Sequence, residues 1–83
     1  MTNIDNLRTE IDDLDNKVIK LLERRFEITQ TIGTIKKQQS LSIENLNRED
    51  EILKKIPQSK YRHSLETIFR TLFIESKKHQ ESL

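Results

Sequence analysis

The sequence has no cysteine, one glycine and one proline in 83 residues. Without cysteine there is neither a disulfide framework nor a thiolate metal site to add stability. The scarcity of glycine and proline leaves few turn signals, which excludes a sheet of many short strands and favours a few long helices. No apolar run is long enough for a membrane span or a signal peptide, so the expected setting is the cytoplasm. An excess of one charge is also lacking. The 15 Lys and Arg against 14 Asp and Glu give a net charge of +1, spread along the whole chain. That balance argues against a nucleic-acid footprint and against a membrane-surface helix. The two histidines, His63 and His79, lack metal-ligand spacing, and no metal is expected.

What the sequence does contain is helical periodicity. We read a single all-α domain over residues 1–83, of a size at which one core is only marginally sufficient, so oligomerisation is expected. A first helix runs from about Ile4 to about Lys37, roughly 50 Å at ~1.5 Å per residue. A compact globule of this length has a radius of gyration near 12 Å. Such a helix must project beyond its own domain. The polar stretch KQQSLS at residues 37–42 forms a loop. A second helix covers Ile43 to Ile56, with Leu46, Ile52, Leu53 and Ile56 inward, and ends at Pro57. A third begins near Tyr61 or Ser64 and runs to about Gln80, burying Leu65, Ile68, Phe69, Leu72 and Phe73.

Along the first helix Ile4, Leu7, Ile11, Leu14, Val18, Leu21, Ile28, Ile32 and Ile35 follow steps of three and four, with one vacancy. Arg25 fills it, although an unpaired charge is among the costliest groups to bury. Other polar residues intrude in the same way. Ser76 and Gln80 continue the apolar stripe of the third helix, as function or as a fraying end. Glu49, next to Arg48, lies one turn before Ile52 and Leu53, as a site residue or as an exposed acid favoured by the helix dipole. Lys36 is eleven residues beyond Arg25 on nearly the same face, ~16 Å along the axis, so the two could grip one small anion. The alternative for Lys36 is a solvated helix end. Arg8 lies ~25 Å before Arg25 and cannot share a small ligand with it on one chain. If two copies pair their first helices antiparallel, Arg8 of one approaches the pocket of the other; otherwise it is an exposed residue flanking the seam.

Taken together, LRTEIDDLDNKVIKLLERR, IGTIKK, NRE and IESKKHQ resemble the all-helical class of chorismate mutase over nearly the whole chain. The resemblance implies three helices per chain, long, short and medium, in an intertwined homodimer whose active sites are each completed by a partner's arginine. It assigns that part to Arg8. It implies the Claisen rearrangement of chorismate to prephenate on the way to phenylalanine and tyrosine, without cofactor or metal. Arg8 and Arg25 then take the substrate carboxylates, each with a planar fork of donors. Lys36 and Gln80 match the positions that stabilise the developing charge on the ether oxygen. Because Gln80 is neutral, activity is expected across neutral pH. Glu49 matches the acceptor for the ring hydroxyl, and Arg48 and Ser76 match supporting binding positions. Asn45, where the family often has Asp, is carried over as a polar contact.

Two alternatives remain open at the level of sequence. An isochorismate pyruvate lyase shares this fold, but typically lacks an acid at the Glu49 position. A catalytically silent dimerisation or regulatory module would use the heptad seam alone, with no need for Arg25, Lys36 and Gln80 together.

Overall fold

The structure is a computed structural model and describes residues 3–81. It consists of α1 (Asn3–Gln38), α2 (Leu46–Lys54) and α3 (Arg62–Glu81). No strand occurs among the described residues, so the all-α class expected from the sequence holds. The molecule measures 57 × 27 × 14 Å with a radius of gyration of 16.3 Å. It is well beyond the ~12 Å of a globule of this length because α1 outruns everything packed against it.

α1 carries Asp5 in its first turn and Lys36 and Lys37 in its last, which complements the helix dipole at both ends. Its C-terminus closes with Leu41 N–H bonding to the Lys36 carbonyl and Ser40 N–H to that of Lys37. Ser40 takes the left-handed conformation this closure requires, at φ 56°. α3 lies along the C-terminal half of α1 and runs in the same direction, with Arg25 bonded to Ser76 and Gly33 set against Gln80. Phe26 packs on the His79 ring at a centroid distance of 4.8 Å. α2 packs on α3. Arg62 ties the end of α2 to the segment that follows it: its guanidinium donates to the Leu53 and Ile56 oxygens while its Nε pairs with Glu66 at 3.0 Å.

The core of the single chain is small: among the described residues the buried apolar side chains are those of Ile56, Leu72 and Phe73. Every residue from Asn3 to Leu21 is exposed. At ~100° per residue, the positions of α1 that meet α3 (Leu22, Phe26, Thr29, Gly33) fall to one side of Arg25, and Leu21, Ile28, Ile32 and Ile35 fall to the other. Arg25 therefore sits on the border between a stripe covered by α3 and a seam that its own chain leaves open.

Three details differ from the sequence reading. α2 starts at Leu46 rather than Ile43, because Asn45 is its N-cap and accepts from the Arg48 N–H at 3.1 Å. It ends at Lys54, with Ile56 buried beyond it. Leu46 and Ile68, expected inward, are 62% and 60% exposed; Ile68 borders an open groove that it shares with Leu22 and Phe26 of α1, and that groove leaves most of its side chain uncovered. Among the described residues, no helix is long and apolar enough to cross a membrane.

Candidate active site

The three helices enclose a partly open cavity of about 110 Å³ lined by Arg25, Lys36, Asn45, Arg48, Glu49, Ser76 and Gln80, with Thr29, Lys77 and the apolar walls Ile43, Ile52 and Phe73. The residues singled out in the sequence thus come to one place, except Arg8. Arg8 stands exposed on the projecting half of α1, and its own chain offers nothing to bring it nearer.

Arg25 enters from α1 and donates from Nη1 to Ser76 Oγ at 2.7 Å. Ser76 is 5% exposed, and as the acceptor its hydroxyl keeps a proton to donate elsewhere. None of the ion pairs among the described residues involves Arg25. Burial, followed by the like charge of Arg48, pushes the Arg25 guanidinium below its usual range. A cation that is partly desolvated, faces a second cation and has no carboxylate of its own is electrostatically prepared for an anionic ligand.

Lys36 lies three turns further along nearly the same face of α1, and its Nζ donates to the Ile43 carbonyl at 2.9 Å. This contact pins the loop before α2 to the end of α1 and leaves two ammonium hydrogens for a ligand. Gln80 arrives from α3, and its Oε1 is buried without a hydrogen-bond partner. Rotating the amide places its NH2 at the same point, so the terminus can offer a ligand either an acceptor or a donor. Arg48 pairs with Glu51 at 3.3 Å on the exposed side of α2. Asn45 lines the cavity while its side chain is engaged as the α2 cap. Among the described residues no cluster of His, Cys, Asp or Glu could hold a metal ion.

The family model for chorismate mutase type II matches residues 7–81. The chain belongs to the type II chorismate mutase family. Its curated relatives include a bifunctional chorismate mutase/prephenate dehydratase of Aquifex aeolicus (strain VF5), 39% identical over 56 residues. That match takes in 68% of this chain but 16% of the relative, so the chain spans a small part of that protein's length. Among solved structures, a conserved hypothetical protein from Pyrococcus furiosus is similar, with a TM-score of 0.85 and 40% identity over 98% of this chain and 99% of that one.

Set within the chorismate mutase fold, two residues matter that the sequence reading passed over. Gly33 lies where α1 and α3 come closest: a Cβ built there would stand 2.7 Å from Gln80 Cα. The signal was available, because a glycine in mid-helix opposes helix propensity and calls for a packing reason. Lys77 pairs with both Glu44 and Glu49 at 3.0 Å, and these hydrogen bonds, Glu44 first, raise its pKa above the usual lysine value. No local spacing rule connects α3 with residues about thirty positions earlier.

Proposed function

We propose that this chain catalyses the rearrangement of chorismate to prephenate, as a cytoplasmic isomerase of aromatic amino acid biosynthesis. The observation that carries the reading is Arg25: a half-buried guanidinium without a carboxylate partner, in a cavity that also presents Lys36, Arg48 and an unpartnered Gln80 amide. That arrangement suits a small dicarboxylate. The family match and the mutase named in the Aquifex relative support the same substrate.

The reaction moves no atom between molecules. A C–O bond breaks while a C–C bond forms, so neither nucleophile nor general base is needed. The protein must fold the enolpyruvyl arm over the ring, and it must stabilise charge that builds on the ether oxygen. Arg25 fixes one carboxylate with a planar fork, which selects the reactive conformer. In this reading the Lys36 ammonium and the Gln80 NH2 donate to the ether oxygen. Such preorganised donors are worth about 3–4 kcal/mol each at the transition state. Glu49 accepts from the ring hydroxyl. Arg48 and Ser76 support the ring and its carboxylate, and Asn45 contributes chiefly by capping α2.

The second carboxylate falls to Arg8 of another copy, in a homodimer. The support is the surface of the single chain. It exposes 6956 Å², about 1,750 Å² more than a folded monomer of this mass should. The excess is of the order that an obligate helical dimer buries per subunit. It includes the open seam of Leu7, Ile11, Leu14 and Val18, each about half exposed.

The test is loss of chorismate with product identification, on the purified protein and on Arg25→Ala, with isochorismate assayed alongside. Prephenate from the wild type and its loss in the variant are expected. Pyruvate from isochorismate without prephenate from chorismate would reassign the chain to the lyase, and no turnover of either would leave a non-catalytic module.

A further inference from the structure

Lys77 has no part in the mechanism just described, yet it is the contact through which α3 holds the acid of α2. Its Nζ lies 3.0 Å from Glu49 Oε2 and 3.0 Å from Glu44 Oε1. The Lys77 and Glu49 side chains retain only 27% and 23% of their exposure, whereas Glu44 is 57% exposed. The inner leg of the clasp is therefore sheltered, and the outer leg is wet.

A carboxylate has two oxygens. Lys77 takes Oε2 of Glu49, and among the described residues Oε1 takes no partner. The same cavity holds Arg25, which has no anion, and Lys36, which spends one hydrogen on a backbone carbonyl. A glutamate free to rotate there would be drawn toward those cations and would occupy the place of a ligand carboxylate. Lys77 offers it a stronger, hydrogen-bonded alternative at the rim. Glu44 binds a second hydrogen of the same ammonium, which keeps the Lys77 charge at the rim and out of the cavity.

We propose that Lys77 is a positioning residue: it fixes Glu49 in the rotamer that presents Oε1 to the substrate, and it keeps that carboxylate off the cationic groups that bind the substrate's own. This rests on the mutase reading. Losing Lys77 acts on both steady-state constants, because a competing internal carboxylate raises KM and a misplaced acceptor lowers kcat.

The experiment compares kcat and KM for chorismate in the wild type, K77M, K77R, E44Q, E49Q and the K77M/E49Q double variant, with thermal unfolding of each. K77M should lose about ten- to a hundredfold in kcat/KM, the range of an ångström-scale misplacement. K77R should recover most of that loss, and E44Q should show a smaller loss than K77M. In the E49Q background K77M should change little, since no charged acceptor remains to be placed. If K77M costs the same with and without Glu49, the residue merely packs and the proposal is overturned. Should K77M unfold, K77Q carries the same comparison. Absence of prephenate from the wild type overturns the mutase reading itself, an outcome distinct from additive losses in an active enzyme.

Discussion

Replacing Gly33 with alanine tests how the site is held together. A Cβ at residue 33 would lie 2.7 Å from Gln80 Cα, 2.8 Å from its carbonyl oxygen and 2.9 Å from its Cβ. Carbon atoms in good contact stand about 3.5–4.0 Å apart, so the helices must separate by roughly 1 Å. The obstacle is α3 backbone, which cannot rotate aside as a side-chain tip would. Alanine brings about 1 kcal/mol of helix propensity, and overpacking costs about 1–3 kcal/mol, so Gly33→Ala should be neutral to modestly destabilising. Its effect on the reaction should be larger. Gln80 rides on the displaced backbone, and a misplacement of ~1 Å can cost about a hundredfold in rate. We expect kcat to fall by one to two orders of magnitude with KM little changed, because in the proposed mechanism Gln80 acts mainly on the transition state. Steady-state kinetics with thermal unfolding provides the assay, and Gln80→Ala provides the control background, in which Gly33→Ala should add little. A Gly33→Ala protein that is about 1 kcal/mol more stable and fully active would refute the close approach of the two helices.

Arg25→Leu should unfold at the same or a higher temperature, since removing a partly desolvated cation offsets the lost bond to Ser76; prephenate formation should drop by at least about a hundredfold, and a variant with near-wild-type turnover would remove Arg25 from the site. Gln80→Glu should tie activity to acidic pH, with kcat/KM falling about tenfold per pH unit above the pKa of the new carboxyl while the wild type stays flat near neutrality; matching profiles would place Gln80 away from the ether oxygen. The raised pKa of Lys77 gives a signed prediction for stability. A lysine whose folded pKa lies above its ordinary 10.5 contributes stability that is fully present below that value and is lost as pH rises through the folded value. The difference in unfolding free energy between wild type and K77M should therefore be constant through neutral pH and shrink only in strong alkali. A gap that narrowed near neutrality would contradict this.

Much of this was legible because helices announce themselves by period. The steps of three and four along α1, the stripe of Leu65, Phe69, Leu72 and Phe73 in α3, and Arg25, Ser76 and Gln80 as breaks in those stripes all follow from one rule. The start of α2 was misplaced because apolar Ile43 reads as part of a stripe, whereas Asn45, bonded to the Arg48 N–H, is the stronger boundary. Leu46 and Ile68 were expected inward because periodicity identifies a sticky face without saying whether the same chain covers it. Gly33 was legible only as a weakness in a helix; its purpose appears once α3 is in place. Lys77 was not legible at all, since a lysine among lysines in a charged helix becomes special only through Glu44 and Glu49 in another element.

The central claim is that each active site takes Arg25 from one chain and Arg8 from another. Subunit mixing tests it. Arg8→Ala and Arg25→Ala proteins, each inactive alone, are dissociated, combined in equal amounts and reassociated, and prephenate formation is measured. In a mixed dimer one site has both arginines and the other has neither, so random pairing should restore about a quarter of wild-type activity. A mixture as inactive as its components, with mixed dimers demonstrated to have formed, would contradict the shared site.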